Sequence, residues 1–146
     1  MRLQKNTLLA LYSVLEFASD AARHISAAEI AEKYGVSSHH LAKVLAELAR
    51  SGVVESVRGA GGGYRFTGNA RRLTLLDIIA MFEDFAPPAA ERAAADATTP
   101  VDQALGAVLS EIDENAKATF GSITLATMLR LIARQQASAA GGRKPV

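Results

Sequence analysis

The sequence predicts a mainly α-helical protein with one small β-hairpin, arranged as a winged helix-turn-helix domain followed by a long helix. Three observations predict it. Two short amphipathic segments meet at Gly35, as in a helix-turn-helix. A hairpin with a glycine-rich tip follows the second segment directly, in the place of a wing. A heptad-like apolar run begins after Pro100. The length of 146 residues suits one domain, or one small domain with an appendage. With 49% of the residues apolar there is material for a core, and disorder throughout is excluded.

The elements follow in order. Leu8, Leu11, Tyr12, Leu15 and Ala18 keep helical spacing and predict a first helix over about Thr7–Ser19. This segment is too short and too interrupted, at Ser13 and Glu16, for a membrane span or an export signal, so a cytoplasmic protein is expected. Asp20–His24 is a polar connection. Ser26 and Glu29 form an S-x-x-E capping box that opens the second helix, and Gly35 ends it. A serine at 37 or 38 caps the third helix. Leu41, Val44, Leu45 and Leu48 give that helix one buried face, and Gly52 stops it. Val53–Val57 and Tyr64–Thr67 are the hairpin strands, joined by Arg58–Gly63. Thr74 and Asp77 cap a buried helix carrying Leu75, Leu76, Ile78, Ile79 and Phe82 and ending near Asp84. Residues 1–85 thus form the winged domain.

Residues 86–99 are rich in alanine, proline and threonine and read as a loop; one helical turn over Ala89–Ala95 stays open. Pro100 suits the first position of a long helix. Val101, Leu105, Val108 and Ile112 form its seam, which favours association of two helices; packing on the chain's own winged domain is the alternative. Gly121 closes this helix, and Leu125, Met128, Leu129 and Ile132 mark a last one over about Thr124–Arg134, so that 100–134 is the dimerisation region. Residues 135–146 are expected to be a disordered tail.

The charge is split. Residues 1–80 hold ten Lys and Arg against seven Asp and Glu; residues 81–146 hold six against eight. Within 50–72, Arg50, Arg58, Arg65, Arg71 and Arg72 face Glu55 alone. Serine hydroxyls, imidazole and lysine early on a reading helix can meet base edges and phosphates in the major groove. Arginine at a hairpin tip can enter a narrow minor groove, with glycines beside it that allow close approach. The candidate DNA-binding set is Ser37, Ser38, His39, His40, Lys43, Arg58, Gly59, Tyr64 and Arg65. A plain αα-hairpin and a solvated hairpin are the bland alternatives.

Other chemistry lacks support. Gly59-x-Gly61-x-x is followed by Tyr64 and a strand rather than by a glycine and a helix, and no P-loop pattern exists. The three histidines, His24, His39 and His40, make a poor shared metal site, since neighbours on a helix point apart. Glu83, Asp84, Glu91, Asp96 and Asp102 read as a solvated acidic surface. No serine has a histidine–acid set, so an enzyme is not expected, and neither is a metal or other cofactor. The absence of cysteine excludes disulfides and thiolate-held metals.

Several stretches resemble the Rrf2 family of winged-helix transcription regulators. They are Ile25-Ser26-Ala27-Ala28-Glu29-Ile30-Ala31, Tyr34-Gly35-Val36-Ser37, His40-Leu41-Ala42-Lys43-Val44-Leu45 and Leu48-Ala49-Arg50-Ser51-Gly52. The most specific is Val57-Arg58-Gly59-Ala60-Gly61-Gly62-Gly63-Tyr64, followed by Leu73-Thr74-Leu75-Leu76-Asp77-Ile78-Ile79; Ile123-Thr124-Leu125-Ala126 is similar to the family's C-terminal segment. The resemblance implies a homodimer with a crossing dimerisation helix. It implies sequence-specific binding of double-stranded DNA at a two-fold operator, usually as a repressor, with Arg58 entering the minor groove. Iron–sulfur members carry three cysteines in the loop before the dimerisation helix. Residues 86–99 offer none, so cluster sensing is not implied, and a small-molecule or protein effector is. The competing expectation is a winged-helix module that dimerises or binds a protein without reading DNA.

Overall fold

The computed structural model describes residues 3–83 and 99–141. Its elements are α1 (Lys5–Ser19), α2 (Ala27–Tyr34), α3 (Ser38–Arg50), β1 (Val54–Val57), β2 (Gly63–Phe66), α4 (Leu75–Ile79), α5 (Pro100–Ser122) and α6 (Leu125–Gly141). One core joins most of them. It takes Leu9, Ala10, Val14 and Phe17 from α1, and Ile30 and Ala31 from α2. To these it adds Val53, Val54 and Phe66 of the hairpin, Leu75, Ile78 and Ile79 of α4, and Leu125. The predicted face of α3, Leu41, Val44, Leu45 and Leu48, is buried in full.

The caps explain where the helices begin. Ser26 Oγ accepts the Glu29 amide at 3.1 Å, but only half of the predicted capping box forms. The Glu29 carboxylate turns instead to Arg23, at 2.9 Å. Gly35 ends α2 in the left-handed conformation, φ 64°, which glycine adopts without a Cβ clash. Ser37 is the cap of α3, its hydroxyl accepting the His40 amide at 3.4 Å. Thr74 and Asp77 make a complete, reciprocal capping box.

α1 starts at Lys5, two residues earlier than its apolar spacing suggests, and Gln4 offers it no side-chain cap. The partner comes from far along the chain. Glu83 Oε1 accepts the Gln4 amide and the Thr7 hydroxyl, each at 2.7 Å. A carboxylate at a helix N-terminus meets free N–H groups and the positive end of the helix dipole. Glu83 is therefore a structural tie rather than part of a solvated acidic surface. Asp84, Glu91 and Asp96, and the expected loop up to residue 98, lie outside the described residues. Regular helix in α4 stops at Ile79, short of Asp84, with turn bonds carrying the chain on to Glu83.

α5 is capped by Thr99, whose Oγ1 accepts the Asp102 amide at 3.2 Å, with Pro100 in the first turn. At its far end the chain returns to the winged body. The Leu75 amide donates to Ile123 O at 2.9 Å, and the amides of Leu125 and Ala126 donate to Leu73 O and Ala70 O at 2.8 Å each. Thr74 and Thr124 face each other as an antiparallel bridge. α6 then runs to Gly141, so residues 135–141 are helical where a disordered tail was expected. That stretch, Gln-Gln-Ala-Ser-Ala-Ala-Gly, lacks the apolar periodicity that marks a buried helix, yet its alanines and glutamines favour helix on their own. Residues 142–146 lie outside the described residues.

Candidate nucleic-acid interface

Burial of one side of α3 leaves the other in solvent. Ser37, Ser38, His39, Ala42 and Lys43 are exposed around its first turns. Among the described residues Lys43 forms no ion pair. His40 differs from its neighbours. It is half-buried, and its Nε2 is enclosed without a hydrogen-bond partner. The ring thus does not present that nitrogen to a phosphate in this conformation.

The wing is a two-stranded antiparallel sheet with Val54 opposite Phe66, Glu55 opposite Arg65, Ser56 opposite Tyr64 and Val57 opposite Gly63. That register commits Arg65, which pairs with Glu55 directly across the hairpin. Like-for-opposite charges facing each other across strands stabilise the pairing modestly. The positive excess of the hairpin is therefore smaller than the residue count implies. Arg58, at the tip, is exposed and forms no ion pair among the described residues, and the same holds for Arg71 and Arg72 beyond the second strand.

Tyr64 sits half-buried at the root of the wing. Its ring packs on Phe17 with centroids 6.1 Å apart. Its amide donates to Ile25 O at 2.8 Å, and Ile25 N donates back to Tyr64 O at 2.9 Å. Ile25 thereby acts as a third, one-residue strand beside β2.

The tip glycines fall into two kinds. Gly59 and Gly61 have φ 109° and 76°, with open space around them, so conformation demands glycine there. Gly62 and Gly63 need room: a Cβ on Gly62 would lie 2.3 Å from Val57 O, and one on Gly63 2.6 Å from Ile25 O. The close approach these two permit is to the chain itself. Sequence reasoning placed Glu55 and Gly63 in the hairpin but missed the Glu55–Arg65 pair, the close approach of Gly63 to Ile25, and Ile25 itself as part of the wing. Counting back from the tip could have paired Glu55 with Arg65. No local signal marks Ile25 as a strand residue.

The α5 seam is open to solvent. Val101, Leu105, Val108 and Ile112 are exposed, and Leu109 beside them is too.

The fold recurs in known proteins. The model of the Rrf2 family, described as an iron-dependent transcriptional regulator, matches residues 3–131. The chain belongs to the Rrf2 family. An assigned HTH-type transcriptional regulator of Rhodopseudomonas palustris, BadM, is 51% identical over 132 residues, covering 90% of this chain and 83% of that protein. The HTH-type transcriptional repressor NsrR of Streptomyces coelicolor is 42% identical over 77 residues, about half of each chain. Among solved structures, IscR of T. potens superposes with a TM-score of 0.72 at 25% identity, over 99% of this chain and 94% of its own. CymR of B. subtilis, described as the global cysteine regulator of that organism, superposes at 0.69 and 22% identity, over 90% of this chain and 98% of its own.

This Rrf2 chain is thus a transcription regulator by family, and its relatives are regulators rather than enzymes. Among the described residues the donor set does not fit the iron of the family description. The sequence has no cysteine, and among the described residues no three of His, Asp and Glu come together. No helix among those residues is long and apolar enough to cross a membrane.

Proposed function

We propose that this chain represses transcription in the cytoplasm as a homodimer, each protomer reading one half of a two-fold operator. The observation that carries this reading is the exposed, polar first half of α3, with Ser38, His39 and Lys43 free of the core, followed by Arg58 exposed at the wing tip and without an ion pair among the described residues. In such a fold the second helix of the helix-turn-helix lies in the major groove, and a two-fold dimer sets the half-site spacing. Ser38, His39 and Lys43 would meet base edges and phosphates, with Ser37 at the helix start, while Arg58 reaches the neighbouring minor groove over the turn at Gly59.

The open α5 seam supports dimerisation. A face of Val101, Leu105, Val108 and Ile112 left in water favours a self-complementary partner face. Without thiolates for a cluster, a small molecule or a protein would supply the signal.

Selection from a randomised duplex library, followed by titration of the selected site and of a scrambled control at near-physiological salt, tests the reading. A two-fold consensus bound at least a thousandfold more tightly than the control is expected. A protein that dimerises but enriches no sequence would instead be an interaction module.

A further inference from the structure

We propose that Gly63 is a positioning residue for DNA binding, holding the wing in register with the helix-turn-helix. This rests on the reading of Arg58 as a minor-groove contact. Gly63 faces Val57 at the end of the β1–β2 ladder, five residues after Arg58. On its other side the chain before α2 passes close. A Cβ on Gly63 would stand 2.6 Å from Ile25 O, 2.7 Å from Ile25 C and 2.9 Å from Ser26 N. All three neighbours are backbone, so no side chain can swing aside to make room. The approach exists because Ile25 and Tyr64 exchange two backbone hydrogen bonds, at 2.8 and 2.9 Å. Ser26, next in the chain, is the cap of α2.

One contact thus ties two parts that must meet DNA together. Its far side is the first residue of β2, which carries the tip. Its near side is the start of α2, which leads through Gly35 into α3. A methyl group at 63 forces the two apart, and Arg58 then searches a wider range of positions relative to Lys43 and Ser38. The bound geometry must be paid for again in ordering the wing, which weakens binding without removing any contacting side chain.

The experiment uses Gly63→Ala, Arg58→Ala, Lys43→Ala and the pairs of the first with each of the others, titrated on the selected operator. Gly63→Ala is expected to weaken binding about tenfold, within the range of a single specific contact. The pair with Arg58→Ala should bind no more weakly than the weaker-binding of the two single variants, whereas the pair with Lys43→Ala should be additive. Spin labels at Arg58→Cys and Ser38→Cys, clean in a cysteine-free chain, give the wing-to-helix distance without DNA. Gly63→Ala should broaden that distribution.

A folded Gly63→Ala protein with wild-type affinity, or an unchanged distance distribution, overturns the proposal. If Arg58→Ala alone binds normally while the distribution still broadens, the contact reading of Arg58 fails and the positioning of the wing stands. Should Gly63→Ala not fold, wild-type amide exchange decides. Ile25 and Tyr64 amides as slow as those bonded between β1 and β2 support the tie, and free exchange at both overturns it.

Discussion

The Glu83 carboxylate accepts the Thr7 hydroxyl at 2.7 Å, across 76 residues of sequence. The same oxygen accepts the Gln4 amide, so one side chain closes the open end of α1. Glu83→Ala leaves the buried Thr7 hydroxyl and an N-terminal amide without their acceptor. A loss of about 1–2 kcal/mol is expected from the hydrogen bonds and the helix-end charge together. Glu83→Gln keeps an acceptor oxygen and should cost about half as much. Urea unfolding of the two variants separates charge from hydrogen bonding: equal losses would assign the effect to the charge alone, and no loss in Glu83→Gln would assign it to the bonds alone.

Leu125 is fully buried although it lies beyond the long α5 helix. Its amide is bonded to Leu73, and its side chain completes the core of the winged body. Leu125→Ala should lower stability by about 2–5 kcal/mol, as for other buried leucines cut to alanine. Differential scanning calorimetry should show one cooperative transition moving down. A separate melting step for the C-terminal helices would show that they are not part of the same unit.

The winged domain was legible because its signals are local. The α3 face repeats at helical spacing, the caps at Ser26, Ser37 and Thr74 precede apolar runs, and the glycine tip separates two short strands. What the sequence hid depends on distant residues. Glu83 looks like one of several acids beside a loop, and only the fold brings it to Gln4 and Thr7. Tyr64 and Arg65 look like a basic, aromatic contact surface. The hairpin register hands Arg65 to Glu55, and the core takes the Tyr64 ring onto Phe17. The helix beyond Arg134 was missed because a polar, alanine-rich helix carries no apolar period.

α1 and α2 are joined by a cluster that titrates. Glu16 accepts the Lys33 ammonium at 2.6 Å and the Tyr34 hydroxyl, while Tyr34 stacks on Tyr12 with ring centroids 4.9 Å apart. Burial pulls the Glu16 carboxyl up, but the two hydrogen bonds and the Lys33 charge outweigh it and hold the group below its ordinary value. Burial and the Glu16 carboxylate push the Tyr34 hydroxyl the other way, above its own. A carboxyl lowered on folding stabilises the fold above its unfolded value, near 4.5, and loses that contribution as pH falls through the folded value. Glu16→Gln should therefore be less stable than wild type at neutral pH, with the gap closing on acidification below about 4.5. A gap that stays constant in urea melts across that range would remove Glu16 from the pH response.

Among the described residues Arg58 forms no ion pair, unlike Arg65, so the proposed DNA contact requires no such pair to open. Arg58→Ala should weaken operator binding by about 1–3 kcal/mol if the contact is specific. It should also lower the salt dependence by about one phosphate equivalent, since one fewer counterion is displaced. Arg65→Ala should change affinity less, because the charge it removes is already balanced by Glu55. Gel-shift titrations at several salt concentrations check both, and equal losses for the two arginines would show that the ion pair opens on binding.

The α5 seam gives the sharpest test of assembly. Leu105 and Val108 are 57% and 54% exposed in the single chain, whereas Leu125 is 0%. A glutamate at 105 or 108 thus costs the protomer little, because the side chain stays in water there. In a two-fold dimer the same charge would be buried twice, facing apolar residues and its own symmetry mate. Leu105→Glu and Val108→Glu should each raise the dimer dissociation constant by more than about thirtyfold, the effect of losing a central interface anchor. Light scattering during size exclusion should show monomers, while the thermal midpoint of the winged body moves little. Operator affinity should fall along with dimerisation, since a single protomer reads only one half-site. A monomer that still binds the full operator with wild-type affinity would separate DNA reading from the seam.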